Sequence, residues 1–158
     1  MARAKTENTY SLQVAGLLKV KETSLSKHNV RTPADVSSLC DDMRSMSQES
    51  FQVLTLNTKN GVIDRHLITL GLVDASLVHP REVFRVAIMD GAAAVILVHN
   101  HPSGDPSPSA EDIRITKQLV EAGKIIDVRV QDHVIVGRRP DESHCFVSLR
   151  ETGLVDFS

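Results

Sequence analysis

The sequence is poor in aromatic residues and in cysteine. Aromatic residues make up 3% of the 158 residues, with one tyrosine and no tryptophan. So few rings make a base-stacking surface for single-stranded nucleic acid hard to build. The two cysteines, Cys40 and Cys145, lie far apart and form no CxxC pair. This argues against a disulfide framework and against a cysteine-based zinc site.

The chain also lacks a strong net charge and a long apolar run. Lys and Arg total 18 and Asp and Glu total 20, so the formal net charge is −2. This balance excludes a protein that coats nucleic acid through charge alone. The longest apolar run, residues 92–98, is far shorter than the roughly 20 residues of a membrane span. The N-terminus has no apolar signal segment, so we expect a cytoplasmic protein without a membrane partner.

The order of apolar residues and turn residues predicts helices that alternate with strands. Thr32-Pro33 predicts the start of a helix, and Asn60-Gly61 predicts a hairpin turn. The predicted helices span residues 33–47, 80–90 and 109–122, with Gly123 at the end of the third. The predicted strands span residues 51–57, 62–72, 92–99, 125–136 and 145–149, and a weaker pattern covers residues 10–20. This alternation predicts an α/β domain in which helices pack on a sheet.

Three candidate metal ligands follow the most apolar of the predicted strands. His99 and His101 are two residues apart at its end, so both side chains point to the same face, about 6.6 Å apart along the strand. Asp112 falls in the first turn of the third predicted helix, on its apolar side, where an unpaired carboxylate is very unfavourable. Two histidines and one aspartate match a catalytic zinc site, which leaves a fourth position for water. Mn²⁺ and Fe²⁺ accept the same ligands.

Each of these residues also has a purely structural interpretation. Ser109 and Asp112 match a capping box that closes the start of a helix, and paired histidines at a strand end are often polar edge residues. Glu82, in the first turn of the second predicted helix, is a candidate general base, but an acidic residue there also favours the helix dipole. His133 is either a structural histidine in a strand or a residue that supports the metal site.

The spacing of these residues resembles that of the RadC family, which belongs to the JAMM (MPN, Mov34) metalloprotein superfamily. The superfamily motif is an upstream Glu, then H-x-H, seven residues, Ser, two residues and Asp. It matches Glu82, His99, His101, Ser109 and Asp112. The resemblance also rests on three segments, VHPREVFRVAI, AAAVILVHNHPSGDPSPSAEDI and QDHVIVG. It divides the chain into an N-terminal extension, residues 1–34, and a RadC-like domain, residues 35–158.

The resemblance implies both a fold and a chemistry. The fold would be a three-layer α/β arrangement with a mixed β-sheet flanked by helices, similar to the cytidine-deaminase group. His99, His101 and Asp112 would bind one Zn²⁺, Glu82 would act as general base, and Ser109 would steady the polarised carbonyl. The reaction would be the hydrolysis of an amide or isopeptide bond in a peptide or protein substrate.

The alternative is a non-catalytic, metal-stabilised interaction module associated with DNA repair or mobile-element functions, because some proteins of this fold act as scaffolds and RadC proteins have been labelled as DNA repair factors. The intact ligand set argues against a degenerate scaffold. The near-neutral charge and the few aromatic residues argue against tight DNA binding. Longer RadC proteins carry an N-terminal helix-hairpin-helix domain, and we expect the short N-terminal extension to be too small to form one.

Overall fold

The computed structural model describes residues 28–71, 78–139 and 144–158. The helices in these residues are α1 (Pro33–Leu39), α2 (Pro80–Met89) and α3 (Ala110–Ile125), with a 3₁₀ helix at Asp41–Ser45. The strands are β1 (Ser50–Leu56), β2 (Val62–Leu70), β3 (Ala94–Asn100), β4 (Arg129–Arg138) and β5 (His144–Ser148). The weak strand pattern at residues 10–20 lies outside the described residues. Among the helices described, none has the length and apolar character needed to cross a membrane.

The five strands form one mixed sheet in the order β2-β1-β3-β4-β5. β1 pairs antiparallel with β2 and with β3, and β4 pairs antiparallel with β5. β3 and β4 run parallel, a pairing that needs a crossover, and α3 provides it. β1 and β3 are buried along their whole length, as expected for strands covered on both faces. The predicted mixed α/β sheet flanked by helices is therefore confirmed.

Helices cover both faces of the sheet and divide the core into two clusters. Residues of α2 and α3 pack on one face, whereas residues of α1 and the 3₁₀ helix pack on the other. Alternate residues of β3 belong to different clusters: Leu97 packs toward α2 and α3, and Val98 packs toward α1. Because side chains alternate along a strand, the next residue, His99, points toward α2 and α3. The strand pattern thus aims the first candidate ligand at α3.

The predicted helix at residues 33–47 begins as expected and ends early. Thr32 caps α1 in a reciprocal capping box with Asp35, but α1 ends at Leu39 and a 3₁₀ helix follows. Within that 3₁₀ helix, Arg44 donates hydrogen bonds of 2.6 Å to the carbonyls of Gly137 and Cys145. These contacts with the end of the sheet draw the segment away from a regular α-helical path.

The third helix is longer than predicted because Gly123 does not end it. α3 continues to Ile125, and Gly123 is buried inside its last turns. A Cβ atom at this position would lie 2.4 Å from the Val128 carbonyl and 3.2 Å from the Phe84 ring. The glycine therefore allows α3 to pack closely against α2 and against the chain that enters β4. The hairpin between β1 and β2 is confirmed, but the predicted two-residue turn at Asn60-Gly61 is wrong. The connection covers residues 57–61, Asn60 N donates to the Asn57 carbonyl at 3.0 Å, and Asn60 but not Gly61 has a positive φ.

Candidate metal centre

The structure brings the three predicted metal ligands together where β3 ends and α3 begins. His99 and Asp112 are buried, and His101 is half-buried. The Nε2 atoms of His99 and His101 are 2.9 Å apart. Asp112 Oδ1 lies 3.2 Å from His99 Nε2, and Asp112 Oδ2 lies 3.4 Å from His101 Nε2. The predicted convergence of these three side chains is therefore observed.

These distances fit a metal ion bound between the three side chains. Zinc bonds to nitrogen and oxygen are about 2.0–2.2 Å long, so a tetrahedral ion places neighbouring ligand atoms about 3.3–3.6 Å apart. The separations in the structure, 2.9, 3.2 and 3.4 Å, lie within or below that range. The three ligand atoms would therefore move slightly apart to admit the ion. Two imidazole nitrogens and one carboxylate are also a suitable donor set for zinc.

A backbone carbonyl in the following loop fixes the orientation of His101. Its Nδ1 atom lies 2.8 Å from the carbonyl oxygen of Asp105. Because a carbonyl can only accept, Nδ1 carries a proton, and this leaves Nε2, which faces Asp112, as the nitrogen that a metal ion would bind. The loop is itself docked on β4, since Arg138 N donates to the Gly104 carbonyl at 2.8 Å. Metal-binding histidines commonly have their second nitrogen held in this way.

Asp112 serves as a helix cap and as a candidate ligand at the same time. Its Oδ2 atom accepts hydrogen bonds of 2.7 Å from both Ser109 N and Ser109 Oγ, and its own N–H donates to Ser109 Oγ at 3.1 Å. The capping box is thus confirmed, and it leaves Asp112 Oδ1 facing His99. The Ser109 hydroxyl proton is directed at the carboxylate, so the predicted contact with a substrate carbonyl requires this proton to turn. That role of Ser109 stays a prediction.

The pKa shifts at the site show that it favours a positive charge beside the carboxylate. Burial alone raises the pKa of the Asp112 carboxyl, but hydrogen bonds from His101 and His99 outweigh burial and hold this pKa well below its usual range. The hydrogen bond to Asp112 raises the pKa of His101 above its ordinary value of 6.5, against the effect of burial. A bound metal ion would supply positive charge beside the Asp112 carboxylate in the same way.

The structure adds Glu49, a carboxylate that the sequence reasoning missed. Glu49 is half-buried, directly before β1, and it interacts electrostatically with all three candidate ligands. Burial raises the pKa of Glu49, and His99 and His101 oppose that rise. Phe51 pairs with His99 across β1 and β3, so Glu49, two residues earlier, continues on the same face toward His101. Only the pairing of β1 with β3 reveals this proximity, and the sequence carries no signal for that pairing.

Glu82 lies where the sequence predicted it, in the first turn of α2. It is half-buried, and the adjacent Val83 and Phe84 point into the core. Among the hydrogen bonds and ion pairs described for residues 28–71, 78–139 and 144–158, none joins Glu82 to the candidate ligands. Its assignment as the general base stays a prediction, with Glu49 as the competing carboxylate.

His133 packs directly behind the candidate ligands. Its Nε2 atom is 2.8 Å from His99 Nδ1, and its side chain is fully buried. Burial lowers the pKa of His133 well below 6.5, and His99 adds to this effect, which favours the neutral form of the ring. The Phe51 ring stacks on His99 with centroids 5.9 Å apart and meets the edge of His133 at 5.5 Å. These contacts support the interpretation that His133 supports the metal site.

Comparisons with known proteins find a family model and relatives that match most of the chain. The family model described as the RadC-like JAB domain matches residues 30–154. A UPF0758 protein of Bacillus mycoides is 50% identical over 129 residues, which are 81% of this chain and 55% of that protein. A UPF0758 protein of Halalkalibacterium halodurans is 48% identical over 135 residues, which are 85% of this chain and 56% of that protein. The chain spans about half the length of these curated relatives.

Proposed function

Because the chain belongs to the RadC-like JAB domain family, we propose that it is a zinc-dependent hydrolase that cleaves an amide bond, as a peptidase or an isopeptidase. One observation carries the proposal: ligand atoms of His99, His101 and Asp112 all lie within 4.8 Å of one another. Three protein ligands of these types are typical of catalytic zinc sites rather than structural ones, which use four.

The protein residues around the site would supply the proton transfers. A bound zinc ion would provide Lewis acidity, which polarises a carbonyl and lowers the pKa of water. Glu49 is a half-buried carboxylate with a raised pKa that interacts with the ligands. A carboxyl with a raised pKa is a better proton acceptor and can later donate the proton. Glu49 would therefore take a proton from the attacking water and deliver it to the leaving nitrogen.

Glu82 and Ser109 are proposed for the roles that the sequence suggests. Glu82 competes with Glu49 for the role of general base, whereas the role of Ser109 is compatible with either base. Glu82 would replace Glu49 as general base if α2 brought its carboxylate to the substrate. Ser109 would donate its hydroxyl proton to the substrate carbonyl oxygen after turning away from Asp112, which accepts that proton at 2.7 Å in the structure. Both roles are separable by mutation, because neither residue is one of the three candidate metal ligands.

The test is cleavage of defined amide probes by the zinc-loaded chain. Two sets of fluorogenic peptides would share their sequences and differ in the scissile bond, a backbone amide in one set and a Lys Nζ amide in the other. We expect cleavage in at least one set. Glu49→Gln should keep its zinc and lose about 10²- to 10⁴-fold in kcat, the usual contribution of a general base.

Glu82→Gln is the matched control for Glu49→Gln. If Glu49 is the base, Glu82→Gln keeps most of the activity; the opposite pattern would assign the base to Glu82. Zinc content, measured on both variants, separates loss of a proton acceptor from loss of the metal. A zinc-loaded parent that cleaves neither set would contradict the hydrolase proposal and favour the non-catalytic interaction module.

A further inference from the structure

A buried chain of hydrogen bonds connects the backbone of α3 to the candidate metal site. Thr116 Oγ1 lies 2.5 Å from the backbone carbonyl of Asp112 and 2.5 Å from His133 Nδ1. On the other side of that ring, His133 Nε2 lies 2.8 Å from His99 Nδ1. The side chains of Thr116, His133 and His99 are at most 1% exposed. Because solvent does not reach these groups, each polar atom depends on its partner in the chain.

The atom types give this chain a direction. The Asp112 carbonyl can only accept, so the Thr116 hydroxyl donates its single proton there. The Thr116 oxygen then accepts from His133 Nδ1, which must carry the proton of the neutral ring. His133 Nε2 is left with a lone pair and accepts from His99 Nδ1. This leaves Nε2 as the nitrogen of His99 that a metal ion would bind, and it lies 3.2 Å from Asp112 Oδ1.

We propose that Thr116 and His133 are positioning residues that hold His99 in the tautomer whose Nε2 lone pair binds the metal ion. This inference rests on the proposed metal site and adds to it the residues that prepare His99. Phe51 assists by packing on both rings, with centroid distances of 5.9 Å to His99 and 5.5 Å to His133. This packing holds the planes of both rings, so the direction of the hydrogen bonds decides which nitrogen is free.

The hydroxyl group of Thr116 determines the direction of the hydrogen bonds between Thr116, His133 and His99. Without it, His133 Nδ1–H would be a buried donor with no acceptor, which is unfavourable. His133 would then favour its other tautomer, with the proton on Nε2 pointing at His99 Nδ1. His99 would respond by carrying its own proton on Nε2, at the position that a metal ion needs. Loss of one hydroxyl, two hydrogen bonds away from the site, should therefore weaken metal binding.

The experiment compares Thr116→Val, which removes the hydroxyl at nearly constant volume, with Thr116→Ser, which retains it. Zinc affinity of the full chain would be measured by competition with a chromophoric chelator at fixed pH. We expect Thr116→Val to bind zinc about 10- to 100-fold more weakly, the usual effect of losing a group that orients a metal ligand. Thr116→Ser should bind close to the parent. Equal affinities for all three proteins, or equal losses in both variants, would overturn the proposal.

A second measurement reads the tautomers directly and stands even if Thr116→Val fails to fold. Nitrogen-15 spectra of the histidine rings in the zinc-loaded parent should show protons on Nδ1 of both His99 and His133. A proton on His133 Nε2 would overturn the proposal. Thermal unfolding of the metal-free variants shows whether an affinity change reflects misfolding. A parent that binds no zinc would instead refute the metal site itself, which is a distinct result from unchanged affinity in Thr116→Val.

Discussion

Replacing Gly104 with alanine tests whether the loop after His101 sets the geometry of the metal site. Gly104 has a φ of +86°, and a Cβ atom there would lie 2.5 Å from the carbonyl oxygen of Arg138. The Gly104 carbonyl also accepts a 2.8 Å hydrogen bond from Arg138 N. The next residue, Asp105, holds His101 Nδ1 through its own carbonyl at 2.8 Å. A displacement of this loop is therefore transmitted directly to a candidate ligand.

The expected magnitude follows from three contributions. A non-glycine residue in the left-handed region costs roughly 1–2 kcal/mol. The Cβ–oxygen contact must open by about 0.5 Å or more to escape the overlap, and such crowding typically costs about 1–3 kcal/mol. Opening it stretches the Arg138–Gly104 hydrogen bond, which contributes about 1 kcal/mol. Because the loop can yield to part of the clash, we expect Gly104→Ala to lower the free energy of unfolding by about 2–4 kcal/mol.

Gly91→Ala is the matched control, because Gly91 has a φ of +62° and nothing within 4 Å of its Cβ position. It should show the backbone strain alone, about 1–2 kcal/mol. Urea unfolding of the metal-free proteins measures both free energies, and chelator competition measures both zinc affinities. We expect weaker zinc binding in Gly104→Ala and unchanged binding in Gly91→Ala. Equal stability losses in the two variants, or an unchanged zinc affinity in Gly104→Ala, would refute the argument.

Two further predictions concern titration and reactivity. The pKa of His101 is raised by Asp112, so the stability from this contact is fully present below about pH 6.5 and is lost as the pH rises through the raised pKa. Urea unfolding of the metal-free parent should therefore show a free energy of unfolding that falls above pH 6.5, and a slope that persists in His101→Gln would contradict this assignment. Burial raises the pKa of the Cys40 thiol to about 11, whereas Cys145 is only half-buried. A thiol reagent should label Cys145 in the native protein and spare Cys40 until unfolding, as mass spectrometry of the modified peptides would show; native labelling of Cys40 would be inconsistent with its burial.

The sequence predicted the parts of the fold that local patterns control. The apolar run before His99 became the buried central strand β3, and the pair Ser109 and Asp112 became a helix cap. Both features depend on residues close together in the chain. The candidate ligands were found for the same reason, since a strand end, a short loop and a helix start place them within one local unit.

The residues that sequence reasoning placed less well depend on contacts between distant segments. Glu49 approaches the site only because β1 pairs with β3, and His133 supports His99 only because β4 lies beside β3. Gly123 was predicted to end α3, but it lies inside the helix, where its missing side chain admits the Val128 carbonyl. A glycine in the sequence can mark either a turn or a position where another segment packs closely against the backbone. Only the tertiary structure distinguishes these two cases.

Elemental analysis of the purified parent and of Asp112→Ala would show directly whether His99, His101 and Asp112 bind a metal ion. Asp112 lies within 3.4 Å of both candidate histidines, so its removal should abolish the site. We expect about one zinc per parent chain and none in the variant. A parent without zinc, even after zinc is added back, or a variant with full occupancy, would show that these three residues do not form the metal site.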